Sequence, residues 1–245
     1  MKIKAVGLIA ATAFIFCGVL MAETDPETAK YIKIFNDKGS PAALKQAAVK
    51  YLSGKKNKEI IPGLAKIISN IKEDKKLRAA AAHALALYGK EGAIILSAAL
   101  EECFSNEDYF LGRNFWEEDK QIKKEFIAAL GESKSEQAFS ALGRISSFKE
   151  LFPFVIDAVV NVGGEDALGY LISLSENILA ENRILVVRGI VKLNTKDGMN
   201  CLKQMYEDET EESVKTEIRS LFKQEFKVDI EEYKIVKKSP RNIGK

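Results

Sequence analysis

The chain has 245 residues, of which 47% are hydrophobic and 29% are charged, a composition typical of a soluble globular protein. Five prolines and sixteen glycines are too few for a disordered chain or for a β architecture dense in turns. The formal net charge of +2 offers no basic excess for binding a polyanion, so the composition argues against nucleic acid as a partner.

The N-terminal segment, residues 1–22, differs from the rest of the chain. Lys2 and Lys4 precede an uncharged run, residues 5–22, and acidic residues follow. This order predicts a signal peptide over residues 1–22 and export to the periplasm or another extracytoplasmic compartment. Two alternatives stay open: an uncleaved membrane anchor, for which the run is just long enough, and lipidation at Cys17. Cleavage would leave 35 basic and 35 acidic residues, and contact with a membrane is expected only if the segment is retained.

Residues 23–39 are expected to form a capping helix at the N-terminal end of the fold. Asp25 and Pro26 supply an N-cap and a first-turn proline. Ser40 and Pro41 repeat the signal at the start of the next helix. The short apolar face of the capping helix consists of Tyr31, Ile32, Ile34 and Phe35.

Residues 40–228 contain a repeat. Six segments superpose on the anchor residues Leu52, Leu85, Leu130, Val159, Ile190 and Leu221. Four of the five intervals between anchors lie close to about 31 positions, and the longer interval from Leu85 to Leu130 indicates an insertion. Positions −4 and −3 from the anchor are apolar with one exception, Glu217, and position −1 is small in five units of six. This spacing predicts one buried helix face that a neighbouring helix approaches closely.

A second helix follows each anchor. Apolar residues recur 12 and 15 positions after it, except that repeat two has Ser97 in the column and Leu96 beside it. Each unit is therefore predicted to be an antiparallel helix pair whose apolar faces are covered when the pairs stack.

The segments "LRAAAAHALALYGKEGA" and "IKKEFIAALGESKSEQA" resemble the short bacterial HEAT-like repeats first associated with phycobilisome lyases. The matching positions are Leu77, Arg78, Ala81, Ala82, Ala84 and Leu85, and Ile122, Lys123, Ala129, Leu130 and Gly131. The resemblance covers roughly residues 40 to 225. It implies an all-α fold, a right-handed α-α superhelix of about five helix pairs with terminal caps. It implies no single function, because such repeats serve scaffolds, adaptors and some enzymes.

Residues 229–245 break the pattern and are expected to form a C-terminal cap with a basic tail. Asp229 stands where the next second helix should begin, and it is expected to cap a short helix through Glu231, Glu232 and Tyr233.

Residues of catalytic or metal-binding type are sparse. The only histidine, His83, stands in a column with Lys50, Ala128, Asp157, Arg188 and Arg219, and is therefore expected to face solvent. No nucleophile, phosphate-loop or zinc motif is present, so we expect neither catalytic residues nor a bound metal or cofactor. Cys103 and Cys201 fall in repeats two and five, too far apart for a disulfide, and are expected to be free thiols.

Two surfaces are candidates for binding a partner. The insertion, residues 104–120, carries Tyr109, Phe110, Arg113, Phe115 and Trp116, residue types common in binding hot spots. These rings could instead seal the gap in the stretched repeat. The second surface is the outer face of the second helices, at positions 14 and 17 after each anchor. Its candidate residues are Lys66, Arg144, Glu176 and Gln204.

The expected function is that of an exported scaffold or adaptor without catalysis, which binds a protein or peptide through a concave face and the insertion. The alternatives are a lyase-like HEAT-repeat enzyme and a structural envelope protein that is anchored by an uncleaved N-terminal helix.

Overall fold

The computed structural model describes residues 25–105, 113–177 and 179–235, with the side chains of residues 102–119 excepted. The described part is all-helical and contains no strand. Its helices are α1 (Pro26–Asn36), α2 (Ala42–Gly54), α3 (Ile61–Ser69), α4 (Lys75–Ala86), α5 (Lys90–Ser105), α6 (Arg113–Glu132), α7 (Ala138–Ile145), α8 (Phe152–Val162), α9 (Gly164–Leu174), α10 (Ala180–Leu193), α11 (Lys196–Asp208) and α12 (Glu212–Phe226). A single 3-10 turn, Lys58–Ile60, precedes α3.

The helices pack in chain order as two rows. We call α2, α4, α6, α8, α10 and α12 the first helices, and each packs on the next one in the chain. The second helices are α3, α5, α7, α9 and α11. Helices α5 to α11 of this second row each pack on the first helices before and after them. Helix α5 also packs on α3 and on α7, whereas α9 and α11 both pack on α10 and pack less closely on each other.

The anchor positions lie between the two rows. Leu52, Leu85, Leu130, Val159 and Ile190 are completely buried, which confirms five of the six predicted anchors. The sixth is wrong by one residue: Leu221 is half-buried, and its neighbour Phe222 is completely buried. Among the described helices α12 is the last of the row, so none of them packs on its outer side as a further first helix. Its buried residues Val214, Ile218 and Phe222 recur every fourth position and face α10 and the C-terminal turn.

Small residues bring neighbouring first helices into close contact. A Cβ atom added to Gly131 on α6 would lie 2.8 Å from the Cα of Ala158 on α8 and 2.9 Å from its carbonyl oxygen. No side chain fits in that space without moving backbone. On α10, a Cβ at Gly189 would lie 2.9 Å from the Cγ2 of Ile156. Ala158 and Gly189, at position −1, and Gly131, one position after its anchor, thus set the spacing of α6, α8 and α10.

A cation at position −7 from the anchor holds the end of the preceding segment. Arg78 is 3% exposed and donates from Nε and Nη2 to the carbonyl of Ile68, at 3.1 and 2.9 Å. Ile68 lies in the last turn of α3, where backbone carbonyls lack a partner within the helix. Arg183 occupies position −7 of α10 and donates to the carbonyl of Asn177, just beyond α9, at 2.9 Å. Lys45 does the same to the carbonyl of Lys38, at 3.5 Å.

Side-chain hydrogen bonds fix the backbone at both ends of the described chain. The Asp25 side chain accepts from the backbone N–H of Glu27 at 3.2 Å, with Pro26 in the first turn, which confirms the predicted N-cap. At the second predicted signal, Pro41 itself is the N-cap residue of α2, and Ser40 donates instead to Asp37 at 2.8 Å.

The C-terminal segment forms a turn where a short helix was expected. Asp229 accepts from the backbone N–H of Glu231 at 3.0 Å, so it caps a single turn. The turn buries Ile230 completely, and the hydroxyl of Tyr233 donates to Asn200 at 2.9 Å. The centroid of the Tyr233 ring also lies 5.2 Å from that of Phe222, so this turn packs against α12 and helps to bury Phe222.

Candidate functional site

The four residues predicted on the second-helix face are all exposed, but the structure does not bring all of them together. Glu176 and Gln204 line one groove near the C-terminal end of the rows. Lys66 lines a different groove at the opposite end. Arg144 on α7 pairs with Glu101 on α5, with 3.1 Å between Nη1 and Oε1. Within the same column Ala99 is 5% exposed, so the expectation that position 14 faces outward is wrong in repeat two.

The residues of the insertion lie largely outside the described part of the structure. Tyr109 and Phe110 are outside the described residues. Arg113, Phe115 and Trp116 belong to the first turn of α6, and their side chains lie outside the described part. Helix α5 extends to Ser105, and α6 begins at Arg113, so residues 104–105 and 113–120 of the insertion are helical.

The groove that contains Glu176 and Gln204, here called the C-terminal groove, has a volume of about 580 Å³. It lies where α9 ends, α10 begins and α11 passes alongside. Residues of α9 and α11 face each other across the groove, and both helices pack on α10 more closely than on each other. The remaining lining residues are Ile172, Ser175, Asn177, Arg183, Cys201, Met205, Asp208, Glu209 and Thr210.

A buried ion pair forms one wall of the C-terminal groove. Arg183 on α10 donates from Nε and Nη2 to the two carboxylate oxygens of Glu209, at 2.7 and 3.0 Å. The side chains are 17% and 9% exposed. Glu209 also accepts from the backbone N–H groups of Thr210 and Glu211, each at 2.9 Å. Burial alone would raise the pKa of the Glu209 carboxyl, but these hydrogen bonds outweigh burial and hold the pKa below its usual value.

The rest of the groove is acidic, with one exposed aliphatic side chain. Glu176 and Asp208 are exposed carboxylates, and Gln204 donates to Asp208 at 2.9 Å. With the Arg183–Glu209 pair neutral in sum, the groove lining carries a net charge of −2. Ile172 is 42% exposed at the edge. This combination suits an extended chain that carries both a basic and an apolar side chain.

Cys201 contributes packing to the groove. The side chain is half-buried, and the residue is a free cysteine. Burial raises the pKa of the Cys201 thiol to about 11. The thiol is therefore protonated at neutral pH and is not a nucleophile there. The side chain of the other predicted free thiol, Cys103, lies outside the described part.

His83 is partly exposed, and it has two carboxylate partners that the sequence did not predict. Its Nδ1 lies 2.7 Å from Glu132 and its Nε2 lies 3.1 Å from Glu125, both on α6, and its side chain is 35% exposed. His83 stands two positions before the anchor Leu85, and Glu132 stands two positions after the anchor Leu130, so position −2 of one repeat pairs with position +2 of the next. Asp157 on α8 and Lys192 on α10 stand in the same relation, 2.7 Å apart. The signal was present in the sequence as opposite charges at these two positions of successive repeats.

The His83–Glu132 pair closes one end of a second groove, of about 560 Å³, between α2 and α4. Its lining includes four alanines, Ala43, Ala47, Ala80 and Ala84, together with Lys50 and Leu87. The repeat pattern does not predict this groove, because only Ala84 of the four alanines falls in one of its columns.

Two other features are not seen among the described residues. No group of three or more His, Cys, Asp or Glu side chains there is arranged to hold a metal ion. None of the helices in that part is both long and apolar enough to cross a membrane.

Comparison with known proteins adds no relative: no family model matches the chain, and no curated protein matches it significantly.

Proposed function

We propose that this chain is an exported, non-catalytic scaffold or adaptor with a HEAT-like solenoid fold, and that it binds a segment of a partner protein in the C-terminal groove. The superhelix of stacked helix pairs is supported by the buried anchors, which recur about every 31 residues, and by the contacts between helices in chain order. Export is supported by the order of the N-terminal segment, which runs from basic through apolar to polar residues.

One observation carries the assignment of the groove. Glu176, in the turn that follows α9, and Gln204, on α11, line a single cleft whose wall is fixed by the Arg183–Glu209 ion pair. Because four hydrogen bonds hold Glu209 in place, this wall needs little ordering when a partner binds. The net charge of −2 and the exposed Ile172 favour an extended segment with a lysine or arginine beside an aliphatic residue.

Site-directed photocrosslinking in the native host tests the proposal. Benzoylphenylalanine in place of Gln204 should give a covalent adduct with a partner, and the same residue in place of Lys223, exposed on α12, should not. Adding Glu176→Lys should abolish the adduct by reversing one charge of the groove, whereas Glu225→Lys, the same change on α12, should leave it. An adduct that survives Glu176→Lys in a folded chain would show that the groove is not the binding site.

A further inference from the structure

The N-terminal end of the structure carries a strong excess of positive charge that the near-zero net charge of the chain conceals. Residues 25–100 contain 14 lysine and arginine residues against 7 aspartate and glutamate residues. Residues 101–235 contain 17 against 27. Helices α1 to α4 and the start of α5 are thus basic, and the rest of the described chain is acidic. The near-zero net charge of the whole chain argued against anionic partners. Because the charges are segregated, one end of the molecule is basic enough to attract such a partner.

Three lysines of this basic end line a groove between α1, α2 and α3. Lys38, Lys45 and Lys66 line it together with Glu73 as the only carboxylate. Lys72 lies in the loop that connects α3 to α4, next to this lining. We call these four lysines, with Leu44 and Ile71, the basic edge. Leu44 precedes Lys45 on α2, and Ile71 lies between the lining residue Asn70 and Lys72.

The two aliphatic side chains of the basic edge face solvent. Leu44 is 49% exposed and Ile71 is 64% exposed, the largest exposed fraction among the large apolar side chains of the described chain. Three carboxylates lie nearby. Glu73 lines the groove, and the exposed side chains of Asp37 and Asp74 accept hydrogen bonds, Asp37 from Gly39 and Ser40, and Asp74 from the backbone of Leu77 at 2.9 Å and from Gln46 at 3.2 Å. The four lysines of the basic edge outnumber these carboxylates, so its net charge is positive.

We propose that the basic edge docks on an anionic lipid bilayer, with the lysines among the headgroups and Leu44 and Ile71 at the boundary of the acyl chains. Residues 25–100 hold 13 lysines and a single arginine, Arg78, which is buried. Protein interfaces are enriched in arginine and aromatic residues and depleted in lysine. Lysine instead suits diffuse attraction to a charged headgroup layer, because its flexible stem lies along apolar surface while the ammonium stays hydrated.

The order of the chain supports the same orientation. The uncharged run of the N-terminal segment ends at Ala22, shortly before α1 begins at Pro26, so the chain enters the structure at its basic end. Docking by the basic edge is a property of the described helices and holds whether the N-terminal segment is cleaved or retained. The C-terminal groove lies at the other end of the rows, so the two surfaces can be occupied together.

Vesicle co-sedimentation of the full chain tests this proposal. Phosphatidylcholine vesicles are compared with vesicles in which part of the lipid is phosphatidylglycerol. We expect the wild type to bind the anionic vesicles more tightly, with a preference that falls as salt is added. Each lysine near an anionic surface strengthens binding about fivefold, so replacing all four lysines of the basic edge with glutamine should weaken the anionic preference at least about twentyfold.

A matched variant removes the same charge from the other half of the chain. It carries glutamine at Lys149, Lys192, Lys196 and Lys223, and it should keep the anionic preference within about twofold. Equal losses in the two variants would overturn the assignment to the basic edge. A wild type without preference for anionic vesicles would overturn the proposal itself. Tighter binding to a short DNA duplex than to the vesicles would also overturn it, by making nucleic acid the occupant.

Tryptophan fluorescence tests whether the aliphatic residues of the basic edge insert into the bilayer. Tryptophan in place of Ile71 should add fluorescence that shifts to shorter wavelength with anionic vesicles. Tryptophan in place of Ile94, which is 51% exposed on α5, should add fluorescence that does not shift. Both positions face solvent, so neither change threatens folding. A shift at both positions or at neither would contradict docking through this edge.

Discussion

The imidazole of His83 on α4 bridges two carboxylates of α6, with Nδ1 2.7 Å from Glu132 and Nε2 3.1 Å from Glu125. A doubly protonated ring donates to both carboxylates at once, and a neutral ring to only one. Helix α4 and helix α6 are therefore joined by a contact whose strength depends on proton concentration. Lys50 of α2 is the other charged group that lines the adjoining groove.

This bridge predicts a pH-dependent stability. Burial alone would lower the pKa of His83, but the hydrogen bonds and charges of Glu132 and Glu125 outweigh burial and raise it. A raised folded-state pKa adds stability that is complete below the unfolded pKa of about 6.5 and is lost as the pH rises through the folded pKa. Because the side chain is 35% exposed, the contribution is at most about 1 kcal/mol.

Urea unfolding of the wild type and of His83→Gln at about pH 5.5 and about pH 8.5 measures this contribution. The variant should lose more stability at the lower pH. Combining His83→Gln with Glu132→Gln should add little further pH dependence. A destabilisation by His83→Gln that is equal at both pH values would mean that no proton is linked to the bridge.

Gly131→Ala is predicted to be destabilising. The added Cβ would lie 2.8 Å from the Cα of Ala158, so α6 and α8 must move apart, at a cost of about 1 to 3 kcal/mol. Gly169→Ala is the control, because a Cβ there meets nothing within 4 Å and α9 gains a better helix former. That control should gain about 0.5 to 1 kcal/mol. Thermal melts followed by circular dichroism would separate the two, and equal effects would contradict the close approach of α6 and α8.

The ion pair of the C-terminal groove is predicted to be sensitive to the loss of either partner. Glu209→Gln leaves the Arg183 guanidinium, 17% exposed, without its carboxylate, and should cost about 3 kcal/mol. Arg188→Gln, which removes the more exposed pair with Glu217, should cost under about 1 kcal/mol. The wild type should also lose the contribution of Glu209 as the pH falls through its lowered folded pKa. Denaturant unfolding of both variants measures the difference, and similar losses would mean that the Glu209 pair is not buried in solution.

Substitutions in the last repeat test whether Phe222, as in the structure, or Leu221, as in the sequence repeat, is the buried position of α12. Phe222→Ala should cost about 3 to 5 kcal/mol because Phe222 is completely buried, and Leu221→Ala, at a half-buried position, under about 1.5 kcal/mol. In the middle of the rows, Leu130→Ala should cost about 2 to 5 kcal/mol. Chemical denaturation of the three variants gives the order directly, and a larger loss at Leu221 than at Phe222 would restore the original periodicity.

The sequence predicted the helical class, and it predicted the buried anchor positions wherever a first helix has neighbouring helices on both sides. Leu130 and Ile190 are examples, because an apolar period of one helix turn is enough to define the buried face there. Prediction failed at Leu221, where the row ends and the terminal turn with Ile230 and Tyr233 decides which side of α12 is covered. It also failed at Ala99, which is buried where an outward side chain was expected.

For the candidate site, sequence reasoning found individual residues but not their grouping. Glu176 and Gln204 were predicted on one face and line one groove, but Lys66 and Arg144, from the same pattern, lie elsewhere. The grouping depends on how far apart α9 and α11 stand, which is set by three-dimensional packing on α10. The pairing of His83 with Glu132 was missed for a related reason. A column compares the same position in successive repeats, whereas this pair joins position −2 of one repeat to position +2 of the next.

Helices α9 and α11 both pack on α10 and pack less closely on each other. The separation of Glu176 and Gln204 is therefore governed mainly by how α10 holds the segments that carry them. A substitution that tilts α10 would change the width of the cleft, even though α10 itself contributes little of the lining.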